Sequence, residues 1–335
     1  TLAIAGDMTG ANLRVEGGTL QVGNATVLGS LAMATDTTLK LTASGADALH
    51  LSSLVIDDGA SIGLDLTGLT LDTTQSDYTL VAFDSEQSLD LSRFDIALGD
   101  GWTGELSFID NKIVLTANQF LYWDATDVPG VWTATDEDNF FTGGSGSAAT
   151  WVSGSGTTLV FGESSEVKDV SIEGGLEVAD MIVQAGAGNT YSFTASNGAI
   201  TSLGNLTVES GSASFGAGAL AVTSETDVTV SNGATLSLAD KGTSTDGKLN
   251  IAMEGGSTLV WAGSSDVLEG NSLALGEGTV TLNIGSNDTS LAGLTNTAGS
   301  ALTEATTIAV AGSGSVTLAD DSIGSAGLDM GTGTT

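Results

Sequence analysis

One oxygen-rich stretch of the sequence has the residue types that bind a metal ion. Ca²⁺ takes about six to eight oxygen ligands, which clustered carboxylates supply. The spacing of an EF-hand loop is absent, and so is the Gly-Gly-x-Gly-x-Asp nonapeptide of calcium-binding β-rolls. The sequence therefore predicts either a structural Ca²⁺ or a plain acidic loop. The oxygen-bearing residues of this stretch are Asp124, Asp127, Asp136, Glu137, Asp138 and Asn139.

Four large aromatic residues surround the same stretch and could form a platform on which a sugar ring stacks. They are Tyr122, Trp123, Trp132 and Trp151. A tryptophan cluster at the boundary of a block more often fills a core or seals an end, where its large apolar area is buried. The sequence leaves both interpretations open, a ligand platform or packing.

Nucleophilic and acid–base catalysis have few candidates. The single histidine, His50, lies between Leu49 and Leu51, so we expect it to face solvent on a strand. A Ser-His-Asp triad would have to use that residue. The sequence has no cysteine, which excludes disulfides, thiolate metal sites and cysteine nucleophiles.

Adjacent carboxylates could serve glycoside hydrolysis, which needs two carboxyl groups that flank a cleft. The pair Asp57-Asp58 precedes Gly59 and has the composition of a turn. We therefore predict that the protein is not an enzyme. The adjacent pairs are Asp57 with Asp58, Asp95 with Asp100, and Asp320 with Asp321.

The charge balance restricts the partners. The protein has 41 acidic and 7 basic residues, a formal net charge of -34. Because the bases are scattered, they cannot follow a phosphate backbone, and nucleic-acid binding is not expected. An anionic membrane surface is disfavoured for the same reason. No apolar run reaches the roughly 18 residues that a spanning helix needs.

A short phrase recurs along the sequence, each time as a small turn followed by alternating apolar and Thr/Ser residues. Period-two alternation predicts strands with one buried face, and recurrence of one phrase predicts stacked coils. We expect an all-β, right-handed parallel β-helix, with an antiparallel β-sandwich as the alternative. At about 20–25 residues per coil the protein would form roughly 14 coils. A short helical piece is expected near residues 88–94.

Two blocks are predicted from the distribution of aromatic residues. Four of the five tryptophans lie between Trp102 and Trp151. Residues 1–119 are predicted to be the end of one β-helical block, and residues 120–335 the start of a second. The sequence begins at Thr1 and ends in a small polar run, so both ends are expected to continue in a longer protein.

These features resemble the passenger domains of autotransporters with β-strand repeats. The phrase Gly-Gly-Thr-Leu-Gln-Val-Gly at 17–23 resembles the repeat itself. The opening of a passenger block is similar to Tyr122-Trp123-Asp124, Val131-Trp132, Trp151 and Val160-Phe161-Gly162, and its closing unit is similar to residues 78–117. The resemblance implies export through a C-terminal outer-membrane barrel, which we expect to lie outside this sequence, and display on the bacterial cell surface.

The function expected from repeats and resemblance together is that of a non-enzymatic stalk or adhesin. Its partners would be molecules of a host or neighbouring cell surface, including glycans, or a second copy of itself. The full-length protein would be extracellular and anchored in the outer membrane. The alternative is a polysaccharide-acting β-helix enzyme or a phage tailspike-like protein. No cofactor is expected beyond the structural Ca²⁺ considered above.

Overall fold

The fold comes from a computed structural model. It describes residues 1–335 except 5–7, 24–25, 45–48, 73–74, 76, 100, 128, 143–147, 240–247, 263–271, 287–288, 292, 298, 300, 303, 314–315, 319–326 and 331–335. The protein is nearly all β and forms a right-handed parallel β-solenoid of about 11 turns. This confirms the predicted β-helix, and its parallel ladders contradict the antiparallel sandwich. No helix among the described residues is long and apolar enough to cross a bilayer.

The protein divides into two compact units, Thr1–Phe120 and Leu121–Thr335. The division lies one residue from the boundary that the sequence predicts. The strands of the N-terminal unit are β1 (Leu2–Ile4), β2 (Met8–Val15), β3 (Gly18–Val22), β4 (Val27–Met33), β5 (Thr37–Leu41), β6 (Leu49–Ile56), β7 (Ile62–Asp65), β8 (Asp77–Phe83), β9 (Phe94–Ala97), β10 (Trp102–Ile109) and β11 (Lys112–Trp123), whose last three residues belong to the C-terminal unit.

The strands of the C-terminal unit are β12 (Gly130–Trp132), β13 (Thr135–Asp136), β14 (Phe140–Thr142), β15 (Trp151–Val152), β16 (Thr158–Phe161), β17 (Asp169–Gln184), β18 (Thr190–Ser210), β19 (Ser212–Phe215), β20 (Thr226–Val230), β21 (Thr235–Leu238), β22 (Leu249–Met253), β23 (Thr258–Trp261), β24 (Ser272–Leu275), β25 (Gly278–Gly285), β26 (Thr289–Leu291), β27 (Gly293–Asn296), β28 (Thr306–Gly312), β29 (Val316–Leu318) and β30 (Gly327–Met330).

In the N-terminal unit two series of parallel strands stack from coil to coil. One is β1-β3-β5-β7-β9, and the other joins β2, β4, β6 and β8. An antiparallel hairpin follows: β10 pairs with β11, and β11 pairs with β8. Asp110 and Asn111 form its turn with φ of 50° and 59°, the left-handed conformation that a tight hairpin turn requires. A 3₁₀ helix, Leu91–Arg93, lies within the segment where a short helical piece was predicted.

The C-terminal unit has a more regular repeat. One series of parallel strands runs through β18, β20, β22, β24 and β27, and a second runs through β18, β19, β21, β23, β25 and β28. The inward position of the second series is occupied in turn by Ala213, Leu236, Leu259, Leu282 and Val310, all of them buried. This stacking of like residues is the physical basis of the repeated phrase.

The repeated turn explains the high glycine content. Ala234 N–H donates to the Ser231 carbonyl oxygen at 3.0 Å, and Gly233 has a φ of 78°. A positive φ at the third position is the requirement of a type II turn, and glycine meets it without a steric cost. The turn 57–60, with Gly59 at a φ of 72°, has the same closing hydrogen bond.

The count of about 11 turns is lower than the 14 coils that a uniform repeat predicts. Two connections are long: Leu64 pairs with Ile96, 32 residues on, and Trp132 pairs with Ile172, 40 residues on. The hairpin β10–β11 is antiparallel and adds no coil. The repeat length therefore holds approximately within the regular coils but not at these two connections or at the hairpin.

Candidate functional site

The predicted calcium stretch forms the wall of an open groove in the C-terminal unit. The groove has a volume of about 520 Å³ and is lined by Thr126, Asp127, Val131, Thr133, Thr135, Asp136, Glu137, Asp138 and Asn139. Of the four predicted aspartate ligands, Asp127, Asp136 and Asp138 thus lie on one groove, and Asp124 is not part of its lining. The Asp124 backbone N–H donates instead to the Asn139 carbonyl oxygen at 2.9 Å.

Asp136 is buried, and its carboxylate holds the turn that follows it. Its Oδ1 accepts hydrogen bonds from the backbone N–H groups of Asp138 at 3.2 Å and Asn139 at 2.9 Å. The Asn139 side-chain amide donates to both carboxylate oxygens of Asp136 and to the Val131 carbonyl oxygen. These bonds satisfy a carboxylate that burial would otherwise destabilise.

In this arrangement the carboxylates that could bind Ca²⁺ are the exposed ones. Asp127, Glu137 and Asp138 are exposed on the groove, whereas the oxygens of Asp136 already accept hydrogen bonds. Within the described ranges, no three carboxylate or imidazole groups converge closely enough to hold a metal ion. The structural Ca²⁺ at Asp124, Asp127, Asp136 and Asp138 stays a prediction.

Three of the four candidate sugar-binding aromatics lie in the core. Trp123, Trp132 and Trp151 are at most 1 % exposed, and Tyr122 is half-buried. The Trp132 ring centroid lies 5.2 Å from that of Trp151 and 5.4 Å from that of Phe161. The three indoles therefore have no ring face at the surface on which a sugar could stack, and packing is the role that the structure assigns to them.

The aromatic cluster continues into the regular coils. Phe161 contacts Phe193 at a centroid distance of 5.0 Å, and Phe193 stacks on Phe215 at 4.8 Å with an interplanar angle of 14°. Tyr191 donates its hydroxyl hydrogen to the Gly162 carbonyl oxygen at 2.7 Å, and burial raises the pKa of Tyr191 to about 12. The rings thus form one core that connects residues 123–161 with strands β18 and β19.

Among the described residues, the remaining catalytic candidates are exposed or have a structural role. His50 is exposed on β6, as the alternation predicts. The carboxylate of Asp57 accepts a bidentate pair of bonds from Arg14, at 3.1 and 2.6 Å, and these bonds hold the pKa of Asp57 below its ordinary value. Asp95 is exposed on β9. Asp100 and the pair Asp320-Asp321 lie outside the described residues.

Sequence reasoning missed a role for Arg93, which lies beside the 57–60 turn. Its guanidinium donates to the carbonyl oxygens of Ala60 at 2.9 Å, Ile56 at 3.4 Å and Asp57. These acceptors lie more than thirty residues away in the sequence. Because the contacts depend on which coils stack, no local signal in the sequence could have identified them.

Sequence reasoning also missed an uncharged surface on the C-terminal unit, the hydroxyl face. Its residues project outward in five successive coils, and parallel pairing places like positions above one another, about 4.8 Å apart. One column is Thr190, Ser212, Thr235, Thr258 and Thr281, and the second is Ser192, Ser214, Ser237, Val260 and Asn283. The period-two pattern of Thr and Ser in the repeated phrase is the signal that could have identified this face.

Two properties characterise the hydroxyl face. The strands β19, β21, β23, β25 and β28 contain no charged residue, although residues 121–335 contain 25 acidic and three basic residues. The hydroxyls of Ser212, Thr235, Thr258 and Thr281 form no hydrogen bond within the described residues. Their hydrogen-bonding capacity is therefore available to water or to a partner.

The neighbouring series of strands carries acidic and amide residues instead. Asp180, Asn205, Asp227 and Asn250 occupy one outward column. The Asn205 amide donates to Asp180 at 2.6 Å, and the Asn250 amide donates to both Asp227 and Glu225 at 2.8 Å. The end of this column borders a shallow groove of about 280 Å³. The two series of this unit thus present different side chains along β17, β18, β20 and β22, whereas β24 and β27 of the neighbouring series contain no charged residue.

Comparison with known proteins adds no relative: no protein-family model matches the sequence, and neither a curated protein nor a solved structure matches it significantly.

Proposed function

We propose that this protein is a non-enzymatic passenger of the bacterial cell surface, a β-helical stalk or adhesin that mediates attachment or self-association. The observation that carries the proposal is the hydroxyl face. Strongly acidic surfaces repel one another, and this repulsion must be overcome before two cell surfaces can meet. A face without charges avoids that repulsion, and its regularly spaced hydroxyls offer donors and acceptors to a hydroxylated or amide-bearing partner.

The architecture supports the same proposal. A solenoid coil contacts only its neighbours, so stacking extends a surface in one direction without changing its local chemistry. The hydroxyl face gains two outward positions with each coil. Many weak contacts in register give avidity that no single contact provides. The resemblance to autotransporter passengers is the second support, and it is the reason for which we propose a location on the cell surface.

The decisive experiment measures adhesion with the face altered. Beads that carry the purified protein would be tested for bead–bead clustering, for binding to bacterial and host cells, and for binding to a glycan array. The variant Thr235→Asp/Thr258→Asp places two charges in the centre of the hydroxyl face. We expect this variant to lose adhesion in every assay in which the native protein is positive.

The matched control places two charges on the neighbouring series of strands. Thr207 and Thr229 are outward, half-buried residues in successive coils, as Thr235 and Thr258 are. The variant Thr207→Asp/Thr229→Asp should retain adhesion. Equal loss in both variants would assign the effect to net charge, and no adhesion by the native protein to any partner would refute the adhesin proposal.

A further inference from the structure

We infer that Asn232-Gly233 is a self-modifying site, at which the protein turns an amide into a carboxylate without an enzyme. Asparagine followed by glycine is the dipeptide most prone to deamidation, because glycine leaves the attacking backbone nitrogen uncovered. The dipeptide occurs twice in the sequence, at 197–198 and at 232–233. The two copies lie in different structural environments, and we therefore expect them to deamidate at different rates.

The reaction needs no external reactant except water. The Gly233 backbone nitrogen attacks Cγ of Asn232, and a new bond forms between these two atoms as the bond from Cγ to the amide nitrogen Nδ2 breaks. Ammonia leaves with the proton of the Gly233 N–H, and a five-membered succinimide remains. Water then opens the ring at Cγ, which gives aspartate, or at the backbone carbonyl carbon, which gives isoaspartate with one additional methylene in the backbone.

Asn232-Gly233 lies in a turn that leaves it accessible to this reaction. The dipeptide occupies the two central positions of the turn that the hydrogen bond from Ala234 to Ser231 closes, and Asn232 is exposed. It belongs to no strand, and the Gly233 N–H donates to no group among the described residues. The backbone of this turn can therefore change its dihedral angles while the adjoining ladders stay intact.

Asn197-Gly198 is held where attack would break a ladder. It lies inside β18, where Asn197 pairs with Glu173 and Gly198 pairs with Gly174 of β17. The two backbones are so close that a Cβ on Gly198 would overlap the Gly174 carbonyl oxygen. The backbone at Asn197 must leave the parallel pairing before its side chain can cyclise.

The product would alter the contact between two coils. Asn232 N–H donates to the Glu254 carboxylate of the next coil at 2.9 Å, and the Asn232 side chain lies over Gly256. Deamidation places a second carboxylate beside Glu254, and the isoaspartate form lengthens the turn. We expect the stacking of turn 231–234 on turn 254–257 to loosen with the age of the molecule.

The test follows both sites during prolonged incubation of the folded protein at mildly alkaline pH. Peptide mass spectrometry measures the deamidated fraction at each asparagine, and isoaspartyl methyltransferase labelling detects isoaspartate. We expect conversion at Asn232 to be at least roughly tenfold faster than at Asn197. This factor corresponds to a free energy of about 1.4 kcal/mol for opening the strand pairing around Asn197. Asn232→Gln should abolish the fast conversion.

Incubation of the denatured protein supplies the reference rates. In denaturant both dipeptides should convert at similar rates, because the backbone structure that distinguishes them is lost. Equal conversion of Asn197 and Asn232 in the folded protein would overturn the inference. So would resistance of both sites in the folded protein when both convert in denaturant.

Discussion

Different side chains connect neighbouring coils in the two units. In the N-terminal unit cations connect the coils: Lys40 bonds to Asp65 of the next coil at 2.6 Å, and Arg14 reaches Asp57. In the described part of the C-terminal unit amides do so: Asn250 bonds to Asp227, and Gln184 bonds to Glu209 at 2.7 Å. Where basic residues are scarce, Asn and Gln supply the donors that keep neighbouring carboxylates from facing one another.

The cores differ as well. The buried core of the N-terminal unit is mainly aliphatic, with Leu20, Leu39 and Leu64 in one inward column. The C-terminal unit opens with a cluster of aromatic rings before its coils become aliphatic. Large rings fill the irregular space of the long 132–172 connection, whereas regular coils are filled by stacked aliphatic residues. The comparison shows that irregular segments, rather than the repeat, need specialised side chains.

The largest expected effect comes from removal of one ring of this cluster. Trp132→Ala should lower the free energy of unfolding of the C-terminal unit by about 3–5 kcal/mol, because a large cavity opens among buried rings. Urea unfolding followed by far-UV circular dichroism measures the change. Tyr122→Ala, at a half-buried ring next to the cluster, is the control and should cost much less. A small effect of Trp132→Ala would show that the aromatic cluster does not stabilise the start of the C-terminal unit.

The corresponding prediction for the N-terminal unit concerns Arg93. Arg93→Met keeps much of the side-chain volume but removes the donors to the carbonyl oxygens of the 56–60 segment. We expect a loss of about 2 kcal/mol, since hydrogen bonds from a charged donor contribute about 1.5–3 kcal/mol. The same urea experiment applies, with Lys112→Met as a control at an exposed cation. Equal effects of the two variants would contradict a specific role for Arg93.

The stability of the N-terminal unit should be sensitive to acid, and that of the C-terminal unit should be sensitive to alkali. The pKa values of Asp57 and Asp65 are lowered by hydrogen bonds from Arg14 and Lys40 respectively, so the stability they add is present above their ordinary value of 3.8 and is lost as pH falls below it. The pKa of Tyr191 is raised by burial, so its contribution is complete below 10.0 and is lost as pH rises towards about 12.

Thermal unfolding midpoints measured across the pH scale would test this difference. Asp57→Asn should flatten the acid side of the profile, and Tyr191→Phe should flatten the alkaline side. If either variant flattened the opposite side, the assignment of acid sensitivity to one unit and alkaline sensitivity to the other would be wrong.

The smallest effect is expected at the amide column. Asn250→Asp replaces a donor by a third carboxylate beside Asp227 and Glu225, and it should cost up to about 1 kcal/mol at low ionic strength. Salt should reduce the loss, because these groups are exposed and screened. Asn250→Ala separates loss of the amide from gain of charge. A loss that salt leaves unchanged would contradict the electrostatic explanation.

Local patterns in the sequence determined the class of fold. Alternation along each strand places Leu236 and Leu238 inward and Ser237 outward, and recurrence of the same phrase requires coils that stack like on like. The same alternation placed His50 at the surface. These inferences depend on neighbours within a few residues, where the local backbone dictates geometry.

The tertiary structure alone decided which residues meet across coils. It buried Trp132, and it directed the oxygens of Asp136 into hydrogen bonds within a turn. It also placed a column of Thr and Ser residues on one series of strands and a column of Asp and Asn residues on the other. It also set the number of turns, because two long connections and one hairpin interrupt the repeat. Parallel pairing joins residues from 18 to 40 positions apart, and a difference of a few residues in one connection changes every contact across it.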